Sequence, residues 1–155
     1  MADEIREMNR QKVERLFHTF NQGDLAQVDA LVGPEYVGPQ GGQGPAGFKA
    51  VVVGLRTAFP DLRYTVDETV AEEDRVAVRW HWTGTHQGQF RAFPATGKAV
   101  SNTGAGIFRF KDGKIISAVL ETDRLGFLEQ IGAVPANAGG GPARPPGQAP
   151  RGSAP

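Results

Sequence analysis

Apolar residues along the first half of the chain recur with a helical period. Ile5, Met8, Val13, Leu16, Phe17 and Phe20 fall three to five positions apart, which predicts one buried stripe on a helix from about Asp3 to Asn21, ended by Asn21-Gln22-Gly23. Asp24 can cap a second short helix carrying Leu25, Val28, Leu31 and Val32, and Gly33-Pro34 supplies its stop signal. Glu35 to Val37 reads as a short extended piece, and the glycines of Gly38 to Gly44 indicate an exposed, pliable loop. A third helix runs from Pro45 to about Phe59, with Pro in its first turn and Phe48, Val51, Val52, Leu55 and Phe59 on its apolar side.

From Leu62 onward the period changes to two. Leu62 to Val70, Val76 to His86, Lys98 to Phe110 and Lys114 to Asp123 read as four long strands, with a short extra piece at Phe90 to Phe93. Glu72-Glu73-Asp74 and Lys111-Asp112-Gly113 are links of hairpin length, so neighbouring strands should pair antiparallel without a helical crossover. A last helix spans about Leu125 to Ile131 and stops at Gly132. Helices followed by a meander give an α+β class: a curved antiparallel sheet wrapped around an N-terminal helical layer. The resulting cone has an apolar interior and a mouth, the usual setting of a small-molecule pocket.

Composition marks where this domain ends. Residues 1–135 form the expected single domain, and Ala136 to Pro155 holds five Gly and five Pro with no large apolar side chain, which predicts a disordered tail. In 155 residues, 17 Lys and Arg balance 17 Asp and Glu, so no long-range field favours a nucleic-acid partner or an anionic membrane. The absence of cysteine removes disulfides, thiolate metal sites and Cys nucleophiles. Only His18, His81 and His86 could supply imidazole, and no spacing among them and the carboxylates suggests a metal centre. The charged start of the chain lacks a secretory core and no window is apolar enough for a membrane span, so a cytoplasmic protein is expected.

The last strand carries the candidate chemistry. Strict alternation sets Glu121 and Asp123 on one face with Cα atoms about 6.6 Å apart, close enough for their titrations to couple. A carboxylate inside an apolar cone loses hydration, which raises its pKa toward neutrality and suits it to move a proton between carbon and oxygen. The competing reading is structural, with Asp123 only capping the last helix. His18 reads as a partly exposed helix position and His86 as a loop brace. Along the strand from Val76, Arg79, His81 and Thr83 oppose Val78, Trp80 and Trp82; the tryptophan side is the expected pocket lining or else a buried dimer interface. Gly104 and Gly106 either vacate pocket volume or accommodate a bulge. There is no Gly-x-Ser-x-Gly elbow, and Gly41, Gly42 and Gly44 do not follow a strand as a dinucleotide loop would require.

Several motifs together resemble the SnoaL-like polyketide cyclase family, often labelled ester cyclase, of the nuclear transport factor 2-like superfamily. They are Asn21-Gln22-Gly23-Asp24-Leu25, Phe59-Pro60-Asp61-Leu62, Gly84-Thr85-His86-Gln87-Gly88, Ala95-Thr96-Gly97-Lys98, Phe108 to Ile115 and Asp123 to Gly132, the last being the most specific. The resemblance covers about residues 8–134 and implies a cone-shaped fold, dimeric through its sheet. It also implies that Asp123 is the general acid/base of a cofactor-free intramolecular aldol closure. Departures from the family pattern are Ser117 and Val119 in place of a Glu-x-Trp pair, Gly38-Pro39-Gln40 in place of an early His or acidic residue, and Gly106 in place of a His.

The sequence therefore predicts a cofactor-independent homodimeric cyclase acting on a small apolar or aromatic carbonyl substrate. Asp123 would shuttle the proton and Glu121 would tune it, while Phe17, Tyr36, Trp80 and Asn102 would bind the substrate. An epoxide-opening enzyme or isomerase using both carboxylates, and a non-catalytic binding module, are the alternatives.

Overall fold

The computed structural model describes residues 1–141. Its elements are α1 (Ala2–Gln22), α2 (Ala26–Leu31), β1 (Val32–Val37), α3 (Gly44–Ala58), β2 (Arg63–Glu72), β3 (Arg75–Thr85), β4 (Ala99–Lys111), β5 (Lys114–Thr122) and α4 (Arg124–Gln130). The strands form one curved sheet in the order β1-β5-β4-β3-β2. Antiparallel ladders join β2 to β5, as the hairpin-length links require. Phe90 and Phe93 form the expected small bridge within the β3–β4 connection.

Two local features differ from the pattern reading. The expected stop at Gly33-Pro34 lies inside a strand, because β1 follows α2 without an intervening turn. β1 also pairs parallel with β5, which makes one edge of the sheet mixed. Hairpin reasoning applies to strands adjacent in sequence, and this pairing joins the first strand to the last.

One face of the sheet lies against α1 and α3. Val76, Val78, Trp80 and Trp82 of β3 are all buried there, together with Phe108 and Phe110 of β4. Phe17 on α1 touches Trp80 at 5.2 Å and Phe108 at 6.0 Å between ring centroids. From α3, Phe48 meets Phe20 at 5.5 Å and Tyr36 at 5.9 Å. Each such ring removed from water contributes about 1.5–3 kcal/mol, so this aromatic layer fixes where the helices sit on the sheet.

Side-chain amides complete the packing at two places where strand pairing stops. Asn21 donates to the Tyr64 carbonyl (2.9 Å) and accepts from the Tyr64 N–H (2.6 Å), binding the end of α1 to edge strand β2. Arg56 of α3 donates to the carbonyls of Phe20 and Asn21, satisfying the C-terminus of α1. At the other place, Gln130 of α4 accepts from the Ser101 N–H and donates to the Ser101 carbonyl, both at 2.8 Å. β5 ends opposite Gly104, so Gln130 takes the place of a missing strand beside Ser101.

The glycines of β4 mark close packing rather than irregular backbone. The β3–β4 register is continuous from Ala99 to Arg109. A Cβ on Gly104 would lie 2.4 Å from Trp80 Cζ2, and one on Gly106 would lie 2.3 Å from Leu120 Cδ2. The volume these glycines vacate is occupied by Trp80 and Leu120.

Ala136 to Gly141, the first residues of the expected disordered tail, turn back beside α4, where the Gly139 N–H donates to Glu129 Oε1 at 3.2 Å. The rest of that expected tail, residues 142–155, lies outside the described residues. No helix among the described residues is long and apolar enough to cross a membrane.

Candidate active site at the β5–α4 junction

Register decides which β5 side chains look inward. Ala118, Leu120 and Thr122 pair with Phe108, Gly106 and Gly104, whose own β3 partners are Val76, Val78 and Trp80. Those are the inner rows. Ser117, Val119 and Glu121 pair with Arg109, Ile107 and Ala105 on the outer face. Glu121 is exposed there, so the expectation that it shares an inward face with Asp123 is not met. Strict alternation ends at Thr122, and Asp123 begins a helix instead of continuing the ladder.

Asp123 is half-buried at that junction. Its N–H donates to the Thr103 carbonyl (3.1 Å), and its Oδ1 accepts from the Gly126 N–H (2.9 Å), capping α4. The structural and chemical readings of this residue are compatible. The cap bond fixes the direction of the carboxylate relative to the sheet. Gln130, one helix length away, clamps the same helix to β4 through its pair of bonds to Ser101. Gln130 stands in the motif singled out from the sequence, but only the end of β5 opposite Gly104 gives its amide a strand-like role.

Asp123 lines a cleft of about 200 Å³ with Leu125, Gly126 and Glu129 of α4 and with Ala136, Asn137, Gly139 and Gly141 of the returning segment. A larger hollow of about 560 Å³ lies at the other end of the sheet, between the start of α1 and the two hairpin turns, lined by Ile5, Met8, Asn9 and Phe110 among others. About 30 Å of β5 separates the two at a strand rise of ~3.3 Å per residue, so the larger hollow is not where Asp123 could act.

The four expected substrate-binding residues all belong to the buried interior. Phe17 is 5 % exposed, Tyr36 4 %, Trp80 2 % and Asn102 4 %. Phe17 and Trp80 are in direct contact, and Tyr36 joins them through Phe48 and Phe20. Asn102 pairs with Trp82 on the inner face, and its Oδ1 accepts from the Thr103 N–H at 2.9 Å. Burial pushes the Tyr36 phenol up to about 12, so it is a neutral hydrogen-bonding group at any physiological pH. Thr122, which the sequence reading did not select, closes the inner row Val66–Trp80–Gly104–Thr122 and is exposed. The inner face thus meets solvent one residue before Asp123.

The histidines divide by face. His81 lies on the outer face, where its Nδ1 approaches both Asp67 oxygens at 2.8 and 2.9 Å beside a bulge in β2. His86 is fully buried, stacks on Phe59 at 5.4 Å, and meets Thr96 Oγ1 through Nδ1 at 3.0 Å. Burial pushes its pKa below the ordinary histidine value, partly offset by the nearby backbone of Gly88 and Phe93. It therefore braces the β3–β4 connection as a neutral ring. Among the described residues no three His, Asp or Glu are grouped to hold a metal ion.

The sequence and fold have known counterparts. The model of the family described as SnoaL-like polyketide cyclase matches residues 11–131. Aklanonic acid methyl ester cyclase DnrD of Streptomyces peucetius is 30% identical over 128 residues, covering 77% of this chain and 88% of that protein. DauD of Streptomyces sp. (strain C5), which carries the same description, is 31% identical over 128 residues, covering 77% of this chain and 79% of its own. The structure of TsrD from Streptomyces laurentii superposes with a TM-score of 0.79 at 30% identity, covering 83% of this chain and 98% of TsrD. With a matching α+β architecture and a family match that runs from α1 into the end of α4, the chain belongs to the SnoaL-like polyketide cyclase family.

Proposed function

We propose that this cyclase closes a ring on a polyketide-derived ester of the class represented by aklanonic acid methyl ester, by acid/base catalysis without a cofactor. The observation that carries the reading is Asp123 itself. It directly follows Thr122, where the inner row reaches solvent, and it is held by a helix-cap bond and lines a hollow. In the proposed step its carboxylate takes a proton from the carbon next to a substrate carbonyl. The resulting enolate carbon attacks a second carbonyl of the same molecule, a C–C bond forms, and the new alkoxide recovers the proton from Asp123. No electrons are gained or lost overall. Contact of the planar part of the substrate with Phe17, Tyr36 and Trp80, which are packed in the interior, would require it to enter past Thr122 along the inner row.

A cleft of about 200 Å³ is smaller than the roughly 300–1,000 Å³ of most small-molecule sites, so substrate entry displaces the Ala136–Gly141 turn. The bond from Gly139 to Glu129 is a weak restraint on that movement. Epoxide opening by two carboxylates is less well supported, because Glu121 faces outward. A homodimer through the outer face is part of the same reading. Val70, Ile107 and Val119 are 59 %, 50 % and 66 % exposed on that face, an apolar surface that a second copy would cover. Light scattering at micromolar concentration tests this, and a monomer would refute it.

Incubation with aklanonic acid methyl ester tests the reaction. The native chain should form the ring-closed product, and Asp123→Asn should lower kcat by about 10²–10⁴-fold, the range associated with a positioned acid/base. Retention of activity within a few-fold would remove Asp123 from the mechanism, and binding without product would favour a non-catalytic module.

A further inference from the structure

Cofactor-free ring closure through an enolate needs more than a base. Negative charge develops on the carbonyl oxygen as the proton leaves, and a hydrogen-bond donor held ready for that oxygen is commonly the larger catalytic contribution. The residues that accompany the acid in the family pattern are absent here, since Gly106 stands where a His is expected.

The interior contains a donor without an evident structural purpose. Trp80 is 2 % exposed, and among the described residues its Nε1–H has no hydrogen-bond partner. Buried donors are almost always paired, so an orphaned one calls for a reason. Its position is specific. The edge of the indole that carries Nε1 lies over Gly104, where a Cβ would stand 2.8 Å from Nε1 and 2.5 Å from Cε2. Gly104 pairs in register with Thr122, which is exposed and directly precedes Asp123. The indole nitrogen therefore sits over β4, one strand from Thr122 on the inner face.

We propose that the Trp80 indole N–H is the donor that receives the enolate oxygen during ring closure, and that Gly104 is kept free of a side chain so that the indole can lie in that position. This inference rests on the acid/base reading of Asp123 given above. Asp123 withdraws the proton from carbon, the carbonyl oxygen gains charge and accepts from Nε1–H, and the bond to nitrogen is not broken at any stage. The step requires the substrate carbonyl to enter along the inner row past Thr122 as far as Gly104, where Nε1 lies one strand away from the Asp123 end.

Trp80→Phe keeps a ring in the core but removes the donor together with part of the buried indole, so kcat is read on a variant shown to be folded and the indole N–H signal supplies a readout independent of packing. Lost packing outweighs the relief of an unpaired donor, so the variant should unfold at a somewhat lower temperature than the native chain while remaining folded in the assay. Its kcat on aklanonic acid methyl ester should fall about 10- to 1,000-fold, as when one preorganised donor is lost elsewhere. Retention of kcat within two-fold, with the native chain and Asp123→Asn behaving as expected, would overturn the Trp80 proposal alone. A second measurement does not depend on turnover. In a ¹H–¹⁵N spectrum the Trp80 indole signal, assigned by its disappearance in Trp80→Phe, should move downfield when the ester is added to Asp123→Asn. Binding of the ester with that signal unmoved would also overturn the proposal. If the native chain neither binds nor converts the ester, the function proposed for the site fails first and the role of Trp80 falls with it.

Discussion

The two faces of β3 belong to one strand and live in different solvents. Val76, Val78, Trp80 and Trp82 are at most 5 % exposed against the helices, whereas Arg75, Ala77 and Thr83 on the other side are exposed and His81 is paired with Asp67. A single residue of register separates an apolar wall from a charged surface. The same difference sorts the two carboxylates at the end of β5. Glu121 obeys the alternation and so faces outward, while Asp123 lies past the end of the strand and caps α4.

The contrast between the faces is testable, most forcefully on β3 itself. Trp82→Ala should lower unfolding free energy by about 3–5 kcal/mol in urea titrations, as for a large buried aromatic, while Thr83→Ala next to it should stay within about 0.5 kcal/mol. A difference below about 1 kcal/mol would break the comparison.

A smaller effect is expected where α4 substitutes for a strand. Gln130→Ala removes both bonds to Ser101 and should cost about 1–3 kcal/mol in the same titrations. Because α4 carries Asp123 at its start, kcat for ring closure should fall together with stability, with a smaller change in KM.

Ionisable groups shifted by the fold should give the stability curve two declining limbs. Burial lowers the His86 pKa, so below about 6.5 the unfolded chain takes up a proton that the folded ring refuses, and stability falls as pH drops. At Asp61 burial pushes the pKa up, but the bonds from the Thr85 N–H and hydroxyl outweigh it and the net shift is downward. Its contribution is present above the unfolded carboxylate value and is lost as pH falls through the folded one. On the alkaline side, the unfolded Tyr36 ionises near 10 while the folded phenol holds its proton to about 12, so stability declines between those values. Urea midpoints from pH 3 to 12 would show both limbs. His86→Gln should flatten the first just below pH 6.5, and Tyr36→Phe should reduce the slope of the second.

The smallest change is expected at the outward carboxylate. Glu121→Gln should leave stability within about 0.5 kcal/mol and kcat within about two-fold, as for an exposed position away from the site. A loss comparable to that of Asp123→Asn would return Glu121 to the mechanism.

Much of the fold could be read directly from the chain. The switch of period at Leu62, the two short hairpin links and the tryptophan face of β3 are local or nearest-neighbour properties and appear where the pattern put them, and the helix stripes do so except at Ile5, Met8 and Val51, which are exposed. The parallel pairing of β1 with β5 did not follow, because no turn links those strands. The glycines at 104 and 106 left two readings open until the packing of Trp80 and Leu120 over them was known. His86, read from the sequence as a loop brace, braces that loop from a fully buried position, since Phe59 and Phe127 reach it from distant parts of the chain.

The candidate site divides in the same way. Asp123 stood out in the residue string because a carboxylate before a short helix is a local motif, and the family match extends past it. Periodicity set Glu121 on one inward face with Asp123, but register puts Glu121 on the outer face, and a rule of two applies only while a strand continues, which β5 does not past Thr122. The unpaired indole of Trp80, the strand-like amide of Gln130 and the open end of the inner row depend on which strands lie side by side. Amino-acid order fixes which elements form, through interactions a few residues long. The surroundings of each polar group follow from contacts between distant segments, and they emerge only when the helices close over the sheet.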